Sequence, residues 1–260
     1  MNDPRPLDGI TTGYEARFDF PDYAAEPRRY ILASVPRSGS TYVSHLLWQT
    51  GGLGAPLEYL NFEPSGPYGH AHDSRSAQDE IWSQVIRSRT SPNGVFAIKA
   101  FPAQLEDLGR LNPALLARAM RFLLADGPAS RVVQLRRRDR TAHAISLARA
   151  SLSGVWRKEQ ETSDAQEPVY SPAILARAGR DIALQEQAWE AMYRDMRITP
   201  LVLWFEDVLE DPARALEAVA SYLAVDLTQA RPVAVPRIEK QSQAGARQWR
   251  AEHAKARPED

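Results

Sequence analysis

Pro36-Arg37-Ser38-Gly39-Ser40-Thr41 sets a guanidinium, three hydroxyls and a glycine within six residues. Such groups hold an oxyanion: a full positive charge, O–H donors, and a backbone able to turn its N–H groups outward. An ordinary capped strand–helix turn has the same composition, so the loop alone leaves both readings open. A second cluster, Leu135-Arg136-Arg137-Arg138-Asp139-Arg140, is followed by Ser146. A helix starting at Asp139 carries Ser146 two turns in, where its hydroxyl reaches the anion beside Arg138. The alternative is a solvated arginine run. Two anion sites on neighbouring strand ends suit a ligand with two separate phosphate-like groups. Glu58 is the best-placed carboxylate to take a proton from an attacking hydroxyl. On the residues alone the stronger reading is that it pairs with a local arginine or caps a turn, since exposed glutamates are common.

Elements that alternate between strand and helix must position these groups. Tyr30–Val35 is a short apolar run of buried-strand type, and Tyr42–Gln49 reads as a helix that Ser40 or Thr41 can cap. Gly51–His72 is irregular and rich in Gly, Pro and aromatics, the composition of a functional loop. Ser76–Arg89 reads as a helix and Val95–Lys99 as a strand. Further helices are predicted over Pro113–Ala125, from Asp139 to about Leu152, over Pro172–Met196, and from Pro212 to about Leu223. Arg131–Arg136 and Leu201–Phe205 are the remaining strands, and the segment from Arg231 onward is polar and basic around Trp249. This order predicts an α/β fold, a central parallel sheet flanked by helices, with ligands at the carboxyl ends of the strands. Residues 1–29 are expected to form an N-terminal arm anchored by Tyr14, Phe18, Phe20 and Tyr23, and residues 30–260 a single domain.

Composition narrows the function. The formal net charge of −1 gives no basic field for nucleic acid. The absence of cysteine rules out disulfides and Cys-ligated metals and fits a cytoplasmic protein. Met1-Asn2-Asp3-Pro4-Arg5-Pro6 lacks a signal-peptide core, and no run is apolar enough for a transmembrane segment. His70 and His72 stand two apart outside any helix, which is poor metal-ligand spacing, so no metal is expected. A nucleotide-hydrolysing loop needs G-x-x-x-x-G-K-S/T, whereas here the first glycine is missing and Arg37 precedes Gly39. That argues against a metal-dependent nucleotide kinase. A nucleotide-binding protein without catalysis is the other competing class.

With both anion motifs in view, the chain resembles the sulfotransferases that use 3′-phosphoadenosine 5′-phosphosulfate (PAPS), and most closely their bacterial trehalose 2-sulfotransferase type. That family carries a Pro-(Lys/Arg)-Ser-Gly-(Ser/Thr)-Thr loop and an Arg followed eight residues later by Ser. The resemblance continues through Gly54-Ala55-Pro56-Leu57-Glu58-Tyr59, Gly94–Lys99, Arg138–Ser146, Gly154-Val155-Trp156, Phe205–Pro212, and Lys240-Gln241-Ser242 with Trp249. His143-Ala144-Ile145-Ser146 stands where the branch often has Gln-Ala-Val-Ser. Lys240-Gln241-Ser242-Gln243 stands where it often has Arg-Gln-x-Asp.

The resemblance implies a P-loop-NTPase-like sulfotransferase fold and PAPS as the donor, with no metal. It places the 5′-phosphosulfate on Arg37, Ser38, Gly39, Ser40 and Thr41, and the 3′-phosphate on Arg138 and Ser146. Lys240 and Trp249 are implied to close over the nucleotide, although Trp249 also suits a tail anchor. Glu58 is implied as general base and Arg37 as the stabiliser of the leaving phosphate. His45, His70, His72 and His143 are the alternative bases. The acceptor is expected to be a carbohydrate or glycolipid hydroxyl, with Lys99, Tyr59 and Trp156 as candidate contacts. Lys99 suits a sheet-edge salt bridge equally well. A homodimer is also implied.

Overall fold

The computed structural model describes residues 10–23, 26–162 and 166–256. The rest of the expected arm, with residues 1–6, and residues 163–165 and 257–260 lie outside the described residues. Four strands, β1 (Arg28–Ala33), β2 (Val95–Ala100), β3 (Arg131–Arg136) and β4 (Leu201–Trp204), form a parallel sheet in the order β2-β1-β3-β4. Because the chain leaves β1 toward β2 on one side and β3 toward β4 on the other, the switch point lies between β1 and β3. Connections there leave in opposite directions and open a crevice at the strand ends. The 36–41 loop follows β1, and Arg137 and Arg138 follow β3.

Alternation along the strands makes two cores. Ile31, Ala33, Phe96, Ile98 and Val132 face one side. There they pack on α2 (Arg75–Arg89), α3 (Pro102–Leu111), α4 (Pro113–Leu123) and α6 (Pro172–Met196). Tyr30, Leu32, Ala97, Val133 and Leu135 face the other side, against α1 (Ser40–Gln49) and α8 (Pro212–Tyr222). A third cluster joins Val35 to α5 (Arg140–Ser153), α6 and α9 (Ala244–Ala256) through Ile145, Ile182 and Trp249. Tyr14 and Phe20 are buried against the first core, with Phe18 packed beside them, whereas Tyr23 is half-buried. No helix among the described residues is long and apolar enough to cross a membrane.

Four elements differ from expectation. The first strand starts at Arg28 rather than Tyr30, because Arg28 and Arg29 pair with Val95 and Phe96. Pro102–Leu111 is helical although it carries Gly109, and Leu108 is its one buried residue. The polar C-terminal segment contains α9, which buries little beyond Gly245 and Trp249 and so shows no apolar stripe. The fourth strand stops at Trp204, since Phe205 opens a one-turn helix, α7 (Phe205–Glu210), directly before α8.

Candidate active site

The loop between β1 and α1 is built for an anion. Helices α4, α5, α6 and α8 begin with Asn112, Asp139, Ser171 and Asp211, each accepting from a first-turn N–H. Helix α1 instead has Gly39 at its N-cap, at φ 91°, with no side-chain cap, and Ser40 and Thr41 fall inside its first turn. A side-chain cap contributes about 1 kcal/mol. Forgoing it leaves the first-turn amides facing out of the positive end of the dipole. Gly39 is required twice over: its φ is left-handed, and a Cβ there would lie 2.2 Å from the Phe205 ring. The loop carbonyls are bonded inward. His143 Nε2 donates to Pro36 O at 2.8 Å, and Arg137 Nη1 to Arg37 O at 3.2 Å. Ser38 Oγ is buried with no partner among the described residues.

Arg37 adopts φ 67°, unusual for a side-chain-bearing residue. Its Nε donates to Ser146 Oγ at 3.0 Å, its Nη1 to Trp156 O at 2.5 Å and its Nη2 to Gln241 Oε1. Burial, with Arg137 and Arg149 nearby, lowers its pKa to about 10, so it stays charged at neutral pH. Beside it lies a cavity of about 340 Å³ lined by Arg37, Ser146, Arg149, Lys158, Gln241 and Ser242 among others.

The two residues expected to share one anion take separate partners here. Ser146 faces Arg37. Arg138 chelates Asp207 through both guanidinium nitrogens, 2.8 Å at Oδ2, over the Trp204 ring. Its backbone N–H donates to Glu206, 3.0 Å at Oε2. Lys240 is exposed, and its neighbour Gln241 makes the contact to Arg37. Trp249 is fully buried, its Nε1 donating to Pro168 O at 2.8 Å and its ring edge-on to Tyr170. It holds α9 down and presents no open face to a nucleotide.

Glu58 reaches the same strand ends from the loop after α1. Leu57 makes a parallel bridge to Ile98, and its carbonyl accepts from Lys99 N–H at 2.9 Å, which brings Glu58 beside the end of β2. Its Oε1 is 2.9 Å from Lys99 Nζ, and its Oε2 accepts from Gln104 at 2.6 Å and Asn61 at 3.1 Å. Lys99 Nζ also donates to Thr41 Oγ1 at 3.2 Å, tying the carboxylate to the anion loop. Burial drives the Glu58 carboxyl upward, but Lys99 and the amide donors outweigh it and hold the group below its ordinary range. Burial lowers Lys99, and Glu58 partly offsets that. Among the described residues, three of the four carboxylate lone-pair sites are thus occupied, and the one left is on Oε1.

Of the other candidates, Tyr59 lies in the core: it is fully buried, its hydroxyl donates to Ala55 O, and it forms no wall of the site. Trp156 is 43 % exposed, and its backbone carbonyl accepts from Arg37. His45 and His143 are buried, and desolvation brings each to about 4, against carbonyl partners on Pro236 and Pro36. His70 is exposed, and His72 Nδ1 lies 2.9 Å from Phe62 O. Gln104 and Asn61 have no signal in the sequence, because neutral amides carry no spacing signature and no N-cap side chain marks the short helix that carries Gln104.

The family model described as Stf0 sulphotransferase matches residues 29–255. A trehalose 2-sulfotransferase of Mycobacterium tuberculosis is 26% identical over 263 residues, spanning 85% of this chain and 92% of that protein. One of Mycolicibacterium smegmatis is 22% identical over 253 residues, spanning 86% and 93%. Among solved structures, a sulfotransferase from Alicyclobacillus acidocaldarius aligns at TM-score 0.44 and 14% identity, covering 89% of this chain and 93% of its own. The sulfotransferase domain of the Synechococcus PCC 7002 olefin synthase aligns at 0.43 and 15%, covering 89% and 91%. The matched span includes the anion loop, Glu58, Arg138 and Trp249, and on it the chain belongs to the Stf0 sulphotransferase family.

Proposed function

We propose that the chain moves a sulfuryl group from PAPS to a hydroxyl of a carbohydrate or glycolipid, with Glu58 as general base. The observation that carries this reading is the bonded line Glu58–Lys99–Thr41, which sets an ionised carboxylate two hydrogen bonds from an uncapped, Gly39-led helix end. The loop fits a phosphate-bearing donor on its own terms. It has free first-turn amides, the unpartnered Ser38 hydroxyl and a glycine where a Cβ would meet Phe205.

PAPS, when bound, supplies the sulfuryl group and a phosphate leaving group. The loop amides and Ser38 hold the phosphosulfate end, and Arg37 and Lys99 offset the negative charge gathering there. Glu58 accepts the proton of the attacking hydroxyl on Oε1 as the new O–S bond forms and the S–O bond to phosphate breaks. Arg138 and Ser146 hold the 3′-phosphate, which requires Arg138 to exchange Asp207 for that phosphate. Gln241, bonded to Arg37, helps to orient that guanidinium. Trp156 suits the acceptor at the rim.

Incubation with sulfur-labelled PAPS and a sugar panel tests this, with trehalose first because two relatives are named for it. Label appearing in a sugar supports the reading. Binding of adenosine 3′,5′-bisphosphate without transfer, or consumption of ATP with magnesium, overturns it.

A further inference from the structure

The arm upstream of the family match reaches the proposed base. Arg89, at the end of α2, is 2 % exposed and directs its guanidinium at the arm. Its Nη1 donates to Gly13 O at 2.9 Å, its Nη2 to Tyr14 O at 3.0 Å and Glu15 O at 3.1 Å, and its Nε pairs with Asp19 at 3.0 Å. Glu15 folds back onto the N–H groups of Thr12 and Gly13, at 3.0 and 2.7 Å. A buried guanidinium satisfied this fully holds the segment as firmly as a core element. Tyr14, locked in this way, is 4 % exposed, with its ring edge-on to Tyr59 and Tyr68. Its hydroxyl oxygen accepts from the Glu58 N–H at 3.1 Å.

That contact completes the hold on the Glu58 backbone. The preceding carbonyl, Leu57 O, takes the Lys99 N–H, and the next amide, Tyr59 N, bonds back to Leu57 O at 3.0 Å. The Glu58 N–H is left to the arm. Lys99, Gln104 and Asn61 orient the carboxylate, but they orient it about a Cα that β2 secures from one side and Tyr14 from the other.

We propose that Tyr14 is a positioning residue for Glu58, supplied by a segment outside the matched residues 29–255. This rests on Glu58 being the base. Removing the hydroxyl leaves the N–H unpaired and lets the loop shift, and a displacement of about 1 Å costs on the order of 100-fold in rate.

The test compares wild type, Tyr14→Phe, Glu58→Gln and the double variant. Labelled PAPS is the donor, and the acceptor is the panel sugar that wild type sulfates fastest. If it sulfates none, donor hydrolysis is the readout. Tyr14→Phe is expected to lower kcat by roughly 10- to 100-fold. The KM for PAPS and the affinity for adenosine 3′,5′-bisphosphate should stay unchanged, and no further loss should appear on top of Glu58→Gln. Full kcat in Tyr14→Phe beside an impaired Glu58→Gln overturns the role of Tyr14 and leaves the base in place. Equal losses in both backgrounds overturn it too, since Tyr14 then acts without Glu58. Wild-type turnover in Glu58→Gln removes the base and this proposal together. Should Tyr14→Phe lack a cooperative melt, 3-fluorotyrosine at position 14 keeps the ring while weakening the acceptor. An unchanged kcat in that protein overturns the proposal, and a reduced one supports it.

Discussion

Lys99 and Glu58 form an ion pair at 2.9 Å with the ammonium 2 % and the carboxylate 17 % exposed. A pair this removed from water persists because each charge answers the other, so losing one partner strands the second. Lys99→Met should destabilise the fold by about 3–5 kcal/mol, and adding Glu58→Gln should recover most of it. Melting curves of the three proteins check this.

The same pair sets a pH response. Glu58 is depressed in the folded state, so its stabilising contribution is present above the unfolded carboxylate range and is lost as pH falls through the folded value. The acid limb of kcat/KM should lie below the ordinary 4.5 in wild type and above it in Lys99→Met. Glu58→Gln should lower kcat by about 10²–10⁴-fold with bisphosphate affinity retained. A pH–rate series and a binding titration measure these.

Arg138 separates nucleotide binding from stability. Its pairing with Asp207 is exposed on both sides, at 49% and 55%, and solvent screens such a pair so that it adds little to stability. Arg138→Ala should therefore leave the melting temperature nearly unchanged while weakening adenosine 3′,5′-bisphosphate binding by roughly 10-fold or more. Asp207→Asn should tighten it by releasing the guanidinium. Calorimetric titration of both variants decides the matter.

Gly39→Ala meets two obstacles, a left-handed φ and the Phe205 ring. The first costs about 1–2 kcal/mol and the second adds to it. The variant should melt earlier and bind bisphosphate poorly. Adding Phe205→Ala should relieve the clash but not the backbone cost. Melting and binding of single and double variants distinguish the contributions.

His45 and His143 are held neutral by burial, at about 4 each against an ordinary 6.5. Between those values the unfolded chain binds more protons than the folded one, so stability rises with pH across that window and falls on acidification. The displacement corresponds to at most roughly 3 kcal/mol per ring. Melting temperature should drop from pH 7 to pH 5. His143→Gln, which keeps an amide donor near Pro36 O, should flatten that drop. A melting series over pH measures the slope.

Much of this was legible because it is written in local chemistry. Apolar runs bounded by Pro and Gly marked Tyr30–Val35, Val95–Lys99 and Arg131–Arg136, and Pro172–Met196 matched its helix end to end. Helix Pro102–Leu111 and α9 carried no such mark. Leu105, Leu108 and Leu111 are helically spaced in the first, but each helix is short and buries only one or two residues, so tertiary contacts sustain both.

The chain alone determined the anion loop and its glycine, because a tight strand-to-helix turn needs those residue types next to one another. It also singled out Glu58, Arg138 and Ser146 as chemically apt. Only the tertiary structure decided which of them meet. Ser146 turned to Arg37, Arg138 to Asp207, and Glu58 to Lys99, Gln104, Asn61 and the Tyr14 hydroxyl. Those pairings span up to 109 residues, as Arg37 and Ser146 show. They depend on how sheet order and helix packing bring distant loops to one crevice, and spacing along a sequence does not encode that.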